Sequence, residues 1–346
     1  MEIPSIFLNR ILTESVRKNA STVHFSVGGV PVLRIDDRLV PMDNENILAA
    51  EIIEKIADSF LSDDEKKKLE GEKEIILVKN FAGSFRFLIK IFYQKDLLSL
   101  SFRNIPAIIK NPNELNLPKV LNSIINLDSG LFIIAGPQLS GKTTTAAALV
   151  EEVNKSKGKR ILTVENPIEF LFVGKKSIIE QRQVGKDVKS FALGIENCID
   201  EDADLVYLSE LKEDFDSVLP LVLDLASGNA LVLLELNTEN TIRVVEKMLN
   251  SLEKKMNSEA ARYSLADTLS GIIVQRLLPR MGGGMVPATE VLIANSAVKS
   301  LIREGRIYQL ESIIQTSRKE GMISMGKSIE ELTKTGEIKQ NSLKIN

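Results

Sequence analysis

Apolar and polar positions change rhythm once along this chain. In the first hundred residues the pattern is mixed. Val30–Ile35 is β-rich and leads into a turn at Asp36-Asp37. Ile47, Ile52, Ile53, Ile56 and Phe60 fall at helical spacing and predict a helix over Ile47–Phe60. Ile75–Val78 and Phe85–Phe92 have strand character, and the charge run Asp63–Glu74 reads as a solvated helix face or loop. Pro106–Pro118 holds three prolines and three asparagines without a periodic pattern, which marks a linker.

Beyond it, short apolar strands alternate with helical stretches. The strands are Leu131–Ala135, Arg160–Glu165, Asp204–Ser209 and Ala230–Leu236; a helix is expected from about Thr143 to Lys155, broken at Gly158. This alternation predicts a parallel sheet covered on both faces. The last ~60 residues read as helices, with Ala297–Glu304 ending at Gly305 and Met325–Thr333 ending near Gly336. The expected layout is an α+β domain over 1–105, a linker over 106–118, and an α/β domain over 119–346 whose region from about 290 is helical.

Between the first of these strands and its helix lies Gly136-Pro137-Gln138-Leu139-Ser140-Gly141-Lys142-Thr143, a full phosphate-loop pattern. Glycines let the backbone wrap so that successive N–H groups face an anion. The helix start adds the positive end of its dipole. Lys142 supplies charge to the β- and γ-phosphates, and the Thr143 hydroxyl can ligate Mg²⁺. Thr144, next along the helix, is a further candidate contact. Chance alone would give this pattern in on the order of one per cent of chains this long, and the strand-loop-helix context makes it rarer. The expected ligand is ATP with Mg²⁺. Hydrolysis also needs a group that positions or deprotonates water. Glu165 ends one strand and Glu210 follows another, and the carboxyl ends of parallel strands are where such groups sit.

Composition narrows the rest. The 346 residues suit about two domains, and a net charge of −3 with mixed signs argues against a nucleic-acid binder. One cysteine, Cys198, and one histidine, His24, exclude an intramolecular disulfide and a four-cysteine zinc site. His24 is expected to be structural, and Cys198 to be a small buried residue. Met1-Glu2-Ile3-Pro4 lacks the start of a secretion signal, and no apolar run approaches the ~18 residues that span a bilayer. A cytoplasmic protein without membrane insertion is expected, able to dock on a membrane complex.

Several collinear segments carry a resemblance to a known family. They are Asn19–His24, Phe102–Pro106, Thr163–Phe170, Gln181–Gly185, Asp202–Glu210 and Ala297–Gly305, with Gln315-Thr316 and Gly321-Met322 near the end. Together they resemble the secretion-type ATPases, most closely the PilT-like motors that retract type IV pili. The resemblance implies a PAS-like N-terminal domain on a RecA-like ATPase domain. It also implies a ring, usually of six subunits, with ATP between subunits. Glu210 would be the water-activating base, and Glu165 would help hold water or Mg²⁺. Partners would be further copies of the chain, or a paralogue in a mixed ring, and an inner-membrane pilus or secretion platform protein. The chain is too short for the extra N-terminal domain of assembly relatives and lacks their zinc cysteines.

The pattern also breaks. Asn166 stands for an aspartate, and Asn229 and Asn237 for two histidines. Glu196, Asp200, Leu88 and Asp96 fall where the family has arginines, and Lys212 replaces another; Arg86 and Arg103 remain. An arginine facing the γ-phosphate from a neighbouring subunit can contribute roughly 10³–10⁵ in rate. If one of these positions holds such a finger, hydrolysis should be slow, which supports an alternative: a weakly hydrolysing, ATP-binding paralogue that co-assembles with a competent motor. The other possibility is that positive charge comes from Arg86, Arg103 or Arg182. Ala297–Glu304 reads either as a helix docked on its own core or as a coupling element toward the pilus machinery.

Overall fold

The computed structural model describes residues 4–81 and 83–339, apart from the side chain of Glu213. Met1–Ile3, where the reading of the N-terminus begins, and the end of the C-terminal region from residue 340 lie outside the described residues. The chain divides into two compact units. One runs to Ile108 and takes in Gly282–Gly284; the other begins at Ile109.

The first unit contains α1 (Pro4–Arg17), β1 (Thr22–Ser26), β2 (Val32–Ile35), β3 (Arg38–Pro41), α2 (Ala50–Asp58), α3 (Asp63–Glu72), β4 (Glu74–Phe81), β5 (Phe85–Gln94) and β6 (Leu97–Ile105). Its sheet has the order β3-β2-β1-β6-β5-β4, and every pairing is antiparallel. Val23 pairs with Phe102, so the two family-like segments of this unit lie side by side. Phe102 anchors the core, with edge-on contacts to Phe25, Phe60 and Phe81 at ring-centroid distances of 5.5, 5.9 and 5.7 Å. The helix expected from Ile47 begins at Ala50. Leu48 gives its N–H to the Gly29 carbonyl and its own carbonyl to the Gly28 N–H, so its backbone is already committed to a loop pairing. The charge run is helical over Asp63–Glu72 because Ser62 and Glu65 form a reciprocal cap; only Leu69 on it is buried.

The second unit contains α4 (Leu121–Ile124), β7 (Gly130–Ala135), α5 (Lys142–Ser156), β8 (Arg160–Glu165), β9 (Ile178–Gln183), α6 (Phe191–Asp200), β10 (Leu205–Leu208), α7 (Phe215–Ser227), β11 (Leu231–Leu236), α8 (Thr241–Leu252), α9 (Ser258–Thr268), β12 (Leu269–Pro279) and β13 (Met285–Ile293). It closes with α10 (Ser296–Arg303), α11 (Leu310–Thr316) and α12 (Met325–Lys334). The sheet order is β13-β12-β7-β11-β10-β8-β9. All neighbours are parallel except β12 and β13. Alternation along β7 divides the core. Leu131, Ile133 and Ala135 join the side chains of α6–α10, while Phe132 and Ile134 join those of α5. Helices therefore cover both faces, as the alternation predicts. The β12–β13 hairpin is an addition to that prediction. On α10, Val298 and Ile302 are buried in this core, whereas Ala297 is exposed.

Candidate functional site

The loop Gly136–Gly141 leaves the carboxyl end of β7 and enters α5 at Lys142. Gly136 has φ +149°, and a Cβ there would stand 2.4 Å from the Gln275 carbonyl oxygen and from Ser140 Oγ. Gly141 has φ +87° and caps α5. Only glycine meets both demands, which is the physical content of the glycine spacing in the sequence. Pro137 is half-buried, Gln138 and Leu139 are exposed, and Leu139 takes φ +62°. Gln275 on β12 braces the loop by donating from Nε2 to the Ser140 carbonyl at 2.7 Å. Ser140 Oγ is buried and has no hydrogen-bond partner among the described residues. Lys142 is buried, and its ammonium donates to the carbonyls of Gly136 and Pro137 at 3.0 and 2.9 Å. Thr143 and Thr144 are half-buried on the first turn of α5. A wrapped backbone, a helix start, an ammonium and an unsatisfied hydroxyl are the donors a phosphate chain requires.

Three strands carry acids toward this end of the sheet. Glu165 closes β8 and is 1% exposed. Its Oε1 accepts from the Thr163 hydroxyl at 2.6 Å and from Gln181 Nε2 at 3.1 Å. Burial, with the nearby charges of Glu235 and Glu169, pushes its carboxyl up to about 7 against the pull of those two hydrogen bonds. Glu210 lies two residues past β10, half-buried. β8 and β10 are paired, with Val164 opposite Leu208, which brings the two predicted glutamates to the same end of adjacent strands.

The third acid, Glu235, was not anticipated. It sits on β11, the strand between β7 and β10, and is 4% exposed. Tyr207 donates its hydroxyl to Glu235 Oε1 at 2.6 Å, and Thr143 donates to Glu235 Oε2 at 3.3 Å. Burial and the charge of Glu169 push this carboxyl up to about 7, while Tyr207, Lys142 and Thr143 pull it down. The Tyr207 hydroxyl is itself driven upward by burial and by Glu235 and Glu165. The available sequence signal was a carboxylate inside an otherwise apolar strand, Leu231–Leu236.

Among the described residues, no group of three or more His, Cys, Asp or Glu side chains could hold a metal ion. The Thr143 hydroxyl and Glu235 carboxylate are nevertheless hard oxygen donors in contact. That fits a Mg²⁺ that arrives with phosphates and keeps several waters, not a metal caged by protein alone.

The remaining candidates lie on other elements of the two units. Arg182 on β9 is paired with Glu201 at 2.7 Å, which commits its charge within its own chain. Glu196 and Asp200 are exposed on α6, and Asp96 lies in the turn between β5 and β6 with φ +61°. Leu88 is half-buried on β5, paired with Arg103. Cys198 is fully buried, and burial pushes its thiol up to about 12. His24 is half-buried on β1, and burial lowers its imidazole.

Comparison with known proteins covers nearly the whole chain. The family model described as "Type II/IV secretion system protein" matches residues 2–344. The chain is 29% identical over 343 residues to the "Type IV pilus retractation ATPase PilT" of Pseudomonas aeruginosa, spanning 97% of this chain and 96% of that one. It is 31% identical over 290 residues to a "Twitching motility protein" of Neisseria gonorrhoeae, spanning 84% and 77%. Among solved structures, the pilus retraction motor PilT with bound ADP superposes with a TM-score of 0.82 at 32% identity, covering 97% of this chain and 96% of that one.

Proposed function

The chain belongs to the type II/IV secretion system protein family and is a PilT-like motor ATPase of it, with a RecA-like domain, and on that premise we propose how its residues carry the activity. ATP binds at Gly136–Thr144. The backbone of Gly136, Pro137, Gln138, Leu139, Ser140 and Gly141 wraps the phosphates. Lys142 turns its ammonium from the loop carbonyls to the β- and γ-phosphates, and Thr143 faces Mg²⁺. Bound there, Mg²⁺ supplies charge neutralisation between phosphate oxygens. Glu210 accepts a proton from the attacking water, and Glu165 orients that water from its hydrogen bonds with Thr163 and Gln181.

The observation that carries this reading is the loop itself, with Lys142 and Thr143 set beside buried acids at one end of a parallel sheet. The retraction ATPase of Pseudomonas and the ADP-bound motor support the same assignment. From them we infer self-association into a six-membered ring, work on a type IV pilus or related secretion machine, and docking on an inner-membrane platform from the cytoplasmic side. Among the described residues, no helix is long and apolar enough to cross a membrane. The alternative of a weakly hydrolysing regulatory paralogue is not favoured, since the relatives that span the chain are described as an ATPase and a motor.

ATP turnover by the purified protein, measured beside Glu210→Gln, tests the reading. The wild type should be faster by about 10²-fold or more, with ATP binding retained in the variant. Equal turnover by two ATP-binding proteins would overturn the assignment of Glu210.

A further inference from the structure

We propose that Glu235, together with Thr143, holds the divalent cation that accompanies the nucleotide. This rests on the reading of Gly136–Thr143 as the nucleotide loop and deepens it. Glu235 Oε1 is clamped by the Tyr207 hydroxyl at 2.6 Å, which leaves Oε2 turned to Thr143 Oγ1 at 3.3 Å. Adjacent ligands on an octahedral Mg²⁺ with bonds near 2.1 Å lie roughly 3.0 Å apart. The two oxygens therefore need only a small adjustment to take neighbouring positions on one ion. The Thr143 hydroxyl would then turn its O–H from Glu235 to another acceptor and offer a lone pair to the metal.

Charge balance points the same way. Glu235 and Glu165 are both buried, Glu169 acts electrostatically on each, and Lys142 is the cation that acts on Glu235. A polyphosphate brought to this end of the sheet would be repelled by the Glu235 carboxylate. A divalent ion between Glu235 and the phosphates removes that repulsion, and burial strengthens the attraction. The strand order adds position: β11 lies between the strand that feeds the loop and the strand that precedes Glu210. Glu235 is thus a metal-holding residue distinct from the two glutamates that the sequence motifs single out.

The experiment is calorimetric titration of ADP into the full chain, in Mg²⁺ and in EDTA, for wild type and Glu235→Gln. The wild type should bind ADP at least about tenfold more tightly with Mg²⁺. Glu235→Gln should keep or improve the affinity measured in EDTA and lose most of the Mg²⁺ enhancement, leaving a ratio within about twofold. If Glu235→Gln keeps the full enhancement, the proposal is overturned while the nucleotide reading stands. If the wild type binds no ADP in either buffer, the nucleotide reading fails and takes this proposal with it. Should Gln disturb folding, as judged by circular dichroism, Glu235→Val repeats the test with a strand-forming side chain that offers no oxygen, and the same loss of enhancement is expected.

Discussion

The two ends of the parallel sheet handle charge in opposite ways. At the amino end, Asp204 accepts from the Arg160 N–H at 2.7 Å and pairs with Lys159 at 3.0 Å. Glu201 takes Arg160 at 2.7 Å, and Arg182, whose backbone stands opposite Val164 toward the other end of β9, also reaches it at 2.7 Å. Burial works against the Asp204 charge, but the Arg160 N–H and Lys159 hold its carboxyl below the usual range. At the carboxyl end, Glu165 and Glu235 are more deeply buried, meet hydroxyls and an amide more than cations, and are pushed up to about 7. Acids satisfied by in-chain cations describe architecture. Acids buried beside a phosphate loop describe a place prepared for something that arrives.

The largest expected break of this contrast is Gly136→Ala. Its Cβ would meet a backbone carbonyl at 2.4 Å in a backbone region that favours glycine. Stability should fall by about 2–4 kcal/mol and nucleotide binding should vanish, as read by melting and by a fluorescent nucleotide. Next is Glu165→Gln. The folded-state value of about 7 lies above the ordinary carboxyl value of 4.5, so the fold favours the protonated form. The stability linked to this group is complete below about 4.5 and declines as pH rises through about 7. At pH 8 the nucleotide-free variant should therefore be more stable than wild type by on the order of 1–3 kcal/mol, with the gain absent at pH 4. Denaturant midpoints at the two pH values check this, and a loss of stability at pH 8 would contradict it.

Asp204→Ala should act with the opposite sign. The amino end loses a backbone hydrogen-bond acceptor and an ion-pair partner, which costs about 1–2 kcal/mol at neutral pH. ADP affinity should stay unchanged. The smallest effect concerns Cys198: at pH 8 its buried thiol should resist alkylation in the folded protein and react on unfolding, as mass spectrometry can follow.

What the sequence made legible follows the range of the interactions. The phosphate loop was readable because its function depends on spacing within eight residues, and the local φ values of Gly136 and Gly141 are the cause of that spacing. The parallel sheet was readable from its apolar strands. Glu235 was not, because its partners lie 28 and 92 residues away, at Tyr207 and Thr143. Ala230–Leu236 read as one apolar strand, although a lone carboxylate in such a strand is costly enough to be a signal. The β12–β13 hairpin lies almost wholly before the region from about 290 expected to be helical, in a stretch without an assigned element; the run Gly282–Gly284 between two apolar segments is its local clue. The late start of α2 came from loop pairings of Leu48 that periodicity does not register.

The most direct test of the two-ended account is a melting experiment with and without saturating ATP and Mg²⁺, on wild type, Lys142→Ala and Glu201→Gln. Ligand at about 100 times its Kd stabilises a native state by roughly 2.7 kcal/mol. Glu201→Gln should start from a lower melting temperature yet gain as much from ligand as the wild type does, whereas Lys142→Ala should gain nothing. A full ligand-induced rise in Lys142→Ala would contradict the placement of the nucleotide at the carboxyl end of the sheet.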